Sequence, residues 1–189
     1  MTPHQPPRAE GNLSRLPAYD PETGELVAVI ETPKGSRNKY DYDEGCAAFR
    51  LGGVLPEGTS FPYDFGFIPS TLGEDGDPLD VLVLLDAPVM VGCVLTVRPL
   101  GVIEAEQRER DGTRVQNDRL LAVATHARTH DHVHTLSDLR PRLLDEVEAF
   151  FAHYNQLSGK EFKPAGRGGP ERARELVERG IAARREKPA

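Results

Sequence analysis

Asp75, Asp77 and Asp80 set three carboxylates within one short run, with Gly76 and Pro78 between them. Negative charges this close repel one another unless a cation sits among them, and an oxygen-only donor set suits a hard ion such as Mg²⁺. The spacing is not that of an EF-hand loop, whose longer ligand series ends on a glutamate. Asp, Gly and Pro are also the residues of ordinary turns. The run alone therefore fits either a metal loop or a plain turn. Residues 81–85, which follow, are apolar and partly β-branched, and they read as a short buried strand. That strand would fix Asp80 on a rigid element while Asp75 and Asp77 reach the same point from the loop.

Two upstream segments add to the aspartates. One runs from Glu31 to Lys39-Tyr40-Asp41-Tyr42, and the other is Phe61-Pro62-Tyr63-Asp64-Phe65-Gly66-Phe67-Ile68-Pro69. In this order and spacing the three segments resemble the soluble inorganic pyrophosphatases of family I, and the resemblance extends over nearly the whole chain past its N-terminal arm. It implies a closed, five-stranded OB-like barrel with helices packed against it. It also implies Mg²⁺-dependent hydrolysis of pyrophosphate, with Mn²⁺ as an alternative ion. By the same resemblance Asp75, Asp77 and Asp80 hold the metal, and Asp77 is the general base. Lys39 and Tyr154 bind phosphate, and Arg119, where the family has a lysine, is a third substrate contact. Glu31 and Asp41 stand at the site rim, Asp41 being one methylene shorter than the family's glutamate. A homo-oligomer is implied, a hexamer being favoured.

The chain departs from the family pattern at several places. Gly52-Gly53 replaces an Asp-Arg pair, Phe61 and Phe65 replace two tyrosines, and Asn155 replaces a lysine. Asn117 stands for a metal aspartate, and a second such aspartate aligns with Gln107 or its neighbour Glu106. Extra residues in this stretch leave the register open, and a one-residue slip would exchange Asn117 for Asp118. Tyr63 would share a side with the two phenylalanines in a regular strand. Removing one preorganised charge-stabilising group typically costs ~10²–10³ in rate. The combined loss for pyrophosphate is on the order of 10⁴ or more, even with strong non-additivity. Three readings follow: a slow pyrophosphatase, a hydrolase of a different phosphoanhydride, or a non-catalytic binding or assembly protein of the same fold.

Several elements must position these residues. Short strand-like runs at 26–30, 39–42, 81–85 and 93–98 are separated by turn signals. Residues 101–106 and 120–124 flank a polar segment with Asp111-Gly112 near its middle, an extended hairpin. Many short strands with frequent Gly and Pro suggest a small barrel. Further on, Leu143, Val147, Phe150, Tyr154 and Leu157 recur at steps of four and three and predict one face of a helix. Ser137 or Asp138 would cap it, with Pro141 in its first turn. On that stripe core packing competes with phosphate binding as the role of Tyr154. A second helix is expected after Pro170, burying Ala173, Leu176, Val177 and Ile181. The fold class is α+β, mainly β, with two C-terminal helices packed on the barrel. Residues 1–20 read as a Pro-rich arm and 21–189 as one pyrophosphatase-like domain.

At 189 residues, with 38% hydrophobic and 28% charged residues, the chain has the make-up of a globular domain. A net charge of −7 argues against a general nucleic-acid or anionic-membrane binder. No apolar run approaches the ~18 residues of a membrane span. Cys46 and Cys93 read as small core residues, and a reduced, cytoplasmic protein is expected. Alternate residues on a strand would bring His130, His132 and His134 to one side, as Zn²⁺ or Ni²⁺ would need. A polar loop or subunit contact at 126–134 is the competing reading.

Overall fold

In the computed structural model, which describes residues 11–187, the apolar run Leu26–Thr32 forms strand β1 and is buried throughout. β2 (Asn38–Asp43), β3 (Ala48–Val54), β4 (Asp64–Phe67), β5 (Asp80–Leu84) and the long β6 (Val94–Arg108) follow. β7 (Arg114–Gln116), β8 (Arg119–Ala124), helix α1 (Leu143–Leu157), β9 (Glu161–Gly168) and helix α2 (Pro170–Glu186) complete the order. β1 pairs with β4, β4 with β5, β5 with β8 and β8 with β6, and β6 returns to β1. Five strands thus close the expected OB-like ring. Every pairing in it is antiparallel except β5 with β8. β2 and β3 make a separate hairpin, and β9 lies along β6.

The pleat divides the apolar side chains into two cores, because successive residues of a strand face opposite ways. Val81, Val83, Leu120 and Ala122 join Ala173, Leu176 and Val177 of α2. Leu82 and Leu121 join Phe61, Phe65, Leu143, Val147 and Phe151 on the other side. Gly66 lets two strands approach closely: a Cβ there would lie 1.9 Å from the Val29 carbonyl oxygen.

Helix α1 differs from its expected form at both ends. Thr135 and Asp138 box a single 3-10 turn, Leu136–Asp138, and α1 begins only after Arg142, whose φ is 74°. Its buried line is Leu143, Val147, Phe151 and Asn155, a ridge of four-residue steps. Phe150 and Tyr154 flank that ridge and are partly buried, and Leu157 is exposed. A helix of period 3.6 carries two such ridges side by side, and the barrel selects one. In α2, Ala173, Leu176 and Val177 are buried as expected; Gly180 joins them, and Ile181 is only partly covered.

Residues 11–20 lie against the domain: Ala18 belongs to the first core, and Ser70 N–H donates to the Ser14 carbonyl at 2.8 Å. Residues 1–10 of the expected arm lie outside the described residues. Cys46 is exposed at the β2–β3 turn and Cys93 is partly buried, so neither is a core residue; a hairpin tip offers no core to fill. Residues 125–134 form turns rather than a strand, so the strand alternation that would bring His130, His132 and His134 to one side is absent. Among the described residues no three His, Cys, Asp or Glu groups stand close enough to share a metal ion, and no helix is long and apolar enough to cross a membrane.

Candidate active site

The aspartate run is a loop between β4 and β5, held by its own backbone. Gly73 N–H donates to the Asp77 carbonyl at 2.7 Å, and Asp77 N–H donates to Asp75 Oδ1 at 3.2 Å. Gly76 has φ 92°, a conformation that glycine adopts without steric cost. Thr71 Oγ1 accepts from Leu79 N–H at 3.0 Å and seats the loop on β5. Asp75, Asp77 and Asp80 open onto a cleft of about 760 Å³, and Glu31, Lys39, Asp41, Arg119 and Tyr154 line the same cleft. All eight residues singled out by sequence therefore come together.

The charges in the cleft are unevenly matched. Burial, reinforced by the Asp80 charge, pushes the Asp75 carboxyl up to about 6 and raises Asp77 as well. Glu31, expected at the rim, is 8% exposed; burial pushes it up to about 7 against the pull of Lys39 and the Tyr42 N–H. Burial disfavours the charge on Lys39, but Glu31, Asp41 and Asp80 outweigh it and raise its pKa. Lys39 Nζ lies 3.6 Å from Glu31 Oε2, bonds to Asp41 Oδ1, and sits 5.1 Å from the centre of the Phe65 ring. Asp41 takes space a side chain at Gly52 would need: a Cβ there would lie 1.7 Å from its Oδ2. Nothing stands within 4 Å of a Cβ built at Gly53. Tyr154 packs edge-on against Phe61 at 5.7 Å, and burial raises its hydroxyl pKa. Tyr63 lies outside the cleft, with Lys34 5.5 Å from its ring centre.

The opposite wall comes from β6, β8 and α1. Gln107, not Glu106, faces the cleft, and so does Asn117; Asp118 is turned away and accepts from Ala105 N–H at 3.0 Å. The register is thus the one without a slip. Asn117 Nδ2 donates to Gln107 Oε1 at 3.2 Å, and Gln107 Nε2 donates to Glu109 Oε1 at 2.6 Å. Lys160 pairs with Glu109 at 2.8 Å. Arg119 Nη1 bonds to both Asp80 Oδ2 and Asn117 Oδ1. Two buried polar atoms here have no partner, Asp118 Oδ2 and Arg119 Nε. The guanidinium carbon lies 5.1 and 5.6 Å from the Phe151 and Phe162 ring centres, so aromatic faces stand in for a hydrogen bond at Nε.

Glu109, Lys160 and Arg184 line the cleft without having been marked as site residues by the sequence. Arg184 comes from the end of α2 and pairs with Glu44 at 2.9 Å. Such residues reach the cleft from distant elements, and only Lys160, beside the helix that carries Tyr154, had a local signal.

The donor set fits Mg²⁺ on the aspartate-loop side. Three carboxylates share one cleft, and two of them, Asp75 and Asp77, have raised proton affinity, a sign of uncompensated negative charge that a dication would relieve. They stand too far apart to chelate one ion together, but Mg²⁺ keeps several waters and needs only one or two carboxylates. The Gln107–Asn117 side offers amides bonded to one another in place of carboxylates.

A closed barrel whose cleft sets acid oxygens against a lysine defines a class: small OB-like proteins suited to phosphate ligands held through divalent cations. A family model described as inorganic pyrophosphatase matches residues 28–185. An inorganic pyrophosphatase of Nostoc sp. is 39% identical over 173 residues, 91% of this chain and 98% of that one. Another, from Synechocystis sp., is 41% identical over 150 residues, 79% and 85% of the two chains. The crystal structure of the Thermus thermophilus inorganic pyrophosphatase matches with a TM-score of 0.83 at 37% identity, covering 92% of this chain and 99% of that one. The chain belongs to the inorganic pyrophosphatase family.

Proposed function

We propose that this chain hydrolyses pyrophosphate to two phosphates with Mg²⁺, or with Mn²⁺ in its place, more slowly than relatives with a fuller set of cleft charges. The observation that carries this is the meeting of Asp75, Asp77 and Asp80 with Lys39 and Tyr154 in one cleft. When bound, the dication supplies positive charge against the phosphate oxygens and lowers the pKa of water. One or two of Asp75, Asp77 and Asp80 would hold each ion. Asp77, the most open of the three, accepts the proton of the attacking water as the water oxygen bonds to phosphorus and the bridging P–O bond breaks. Its raised proton affinity suits a base. Lys39 and the Tyr154 hydroxyl position the phosphates. Arg119, expected as a further phosphate contact, is committed to Asp80 and Asn117.

Gln107, Asn117 and Asn155 put neutral amides on the cleft where the family resemblance implies charges. That favours a second reading, a phosphoanhydride less charged than pyrophosphate. The family resemblance also supports a homo-hexamer and a cytoplasmic location. Exposed Leu51, Val54, Met90 and Val94 offer apolar surface for subunit contact.

Phosphate release from pyrophosphate, with Mg²⁺ and with Mn²⁺, tests the proposal. Turnover should exceed that of Asp77→Ala and fall well short of the Thermus thermophilus enzyme. No turnover above the Asp77→Ala background would leave a non-catalytic protein or a different substrate.

A further inference from the structure

Asp80 opens β5 and Arg119 opens β8, and the two strands run in parallel with Val81 opposite Leu120. The pair is therefore set by the barrel wall itself. The Arg119 side chain is 6% exposed and Asp80 22%. One nitrogen of the guanidinium bonds both Asp80 and Asn117, and its plane lies among Phe151 and Phe162. Asn117 is in turn held by Gln107, and Gln107 by Glu109. Arg119 cannot swing clear without leaving a buried charge unpaired, which is strongly destabilising. One oxygen of Asp80 is thus taken by a positive charge that belongs to the protein.

We infer that Arg119 is a resident cation that competes with divalent metal for Asp80, so that this cleft recruits its metal chiefly through Asp75 and Asp77. A dication placed on the other oxygen of Asp80 must share the carboxylate with a guanidinium that cannot move away. The flat guanidinium matters: it lies against two aromatic rings while one of its nitrogens meets both Asp80 and Asn117, where a lysine ammonium is a mobile point charge. The neutral amides fit the same design. A carboxylate at 117 would give Arg119 a second anion and free Asp80; asparagine offers only a carbonyl oxygen and leaves the arginine's charge directed at Asp80.

This inference rests on the reading that the cleft takes a divalent cation, and its test does not use turnover. Mn²⁺ affinity is measured on the full chain without substrate, by calorimetry and by the loss of the free-ion EPR signal. The forms compared are the wild type, Arg119→Lys, Asp80→Asn and the double variant. Lysine is the residue the resembled family carries at this place, so Arg119→Lys is expected to fold. Lysine keeps the charge but can turn its head away from Asp80, and withdrawing an adjacent opposite charge shifts a carboxylate's equilibrium by about one to three powers of ten, so Arg119→Lys should tighten Mn²⁺ binding about tenfold. Asp80→Asn should weaken binding little in the wild type and abolish the gain in the double variant. Binding equal in wild type and Arg119→Lys, or a gain that survives Asp80→Asn, would overturn the inference while leaving the metal reading intact. No Mn²⁺ binding in any form would overturn both.

Discussion

At the scale of single residues the cleft carries fewer charges than the family resemblance implies. Phe65 lies under Lys39 and lines the cleft, so Phe65→Tyr adds one hydroxyl to a ring that borders it. Gly53 has open space around it and no positive φ, so Gly53→Arg is sterically free. Combined with Asn155→Lys it should raise pyrophosphate turnover about a hundredfold, the low end of what one preorganised charge contributes; steady-state phosphate release checks this. Phe65→Tyr alone should give a smaller gain, since a neutral hydroxyl is the weaker donor. The aspartates were legible in the sequence because their spacing is local. Lys39, Tyr154, Glu31 and Asp41 were legible through the family resemblance. Arg184 was not, because nothing near it in the chain says that α2 ends beside the β2–β3 hairpin.

At the scale of elements, two contacts are open to measurement. A Cβ on Gly66 would drive into the backbone of β1 at Val29 and Ile30. Gly66→Ala should therefore cost about 2–3 kcal/mol, read from the denaturant midpoint, as expected for overpacking against backbone that cannot yield. Asp86 anchors the turns at 126–134 by accepting from Arg128 N–H at 2.8 Å and from Thr129 N–H at 2.9 Å. The Arg128 N–H, then the Thr129 hydroxyl and N–H, hold its carboxyl down to about 2 from an ordinary 3.8. The folded state thus binds this proton more weakly than the unfolded chain, so the contribution of Asp86 is complete above the ordinary value and is lost as pH falls through about 2. The Tm difference between wild type and Asp86→Asn should be full at about pH 6 and shrink toward zero near pH 2. The strands at 26–30, 39–42, 81–85 and 120–124 were readable from apolar runs and turn residues; β3, β9 and the continuity of β6 across the runs at 93–98 and 101–106 were not. The start and buried ridge of α1 were not, because a boxed 3-10 turn imitates a helix cap and adjacent ridges of one helix look alike in sequence.

At the scale of the molecule, sedimentation should give about six times the mass of one chain if the exposed apolar residues are subunit contacts. A monomer at micromolar concentration would remove that proposal. The closed barrel was legible through the family resemblance; that β6 is the strand that returns to β1 was not, since no local pattern announces it. The one parallel pairing carries a further consequence. Antiparallel neighbours can zip from a turn, but β5 and β8 can meet only after the long β6 has been laid down between them in sequence. Such a contact must meet its loop-closure entropy before it gains any stabilisation. Asp80 and Arg119 sit at the mouth of that seam, so the cleft is assembled no earlier than the ring is sealed. A nascent or partly opened chain therefore has no half-built cleft to present. Amide exchange at Val81 and Leu120 should slow together and report, in one observable, both that the ring is shut and that its acid pocket exists.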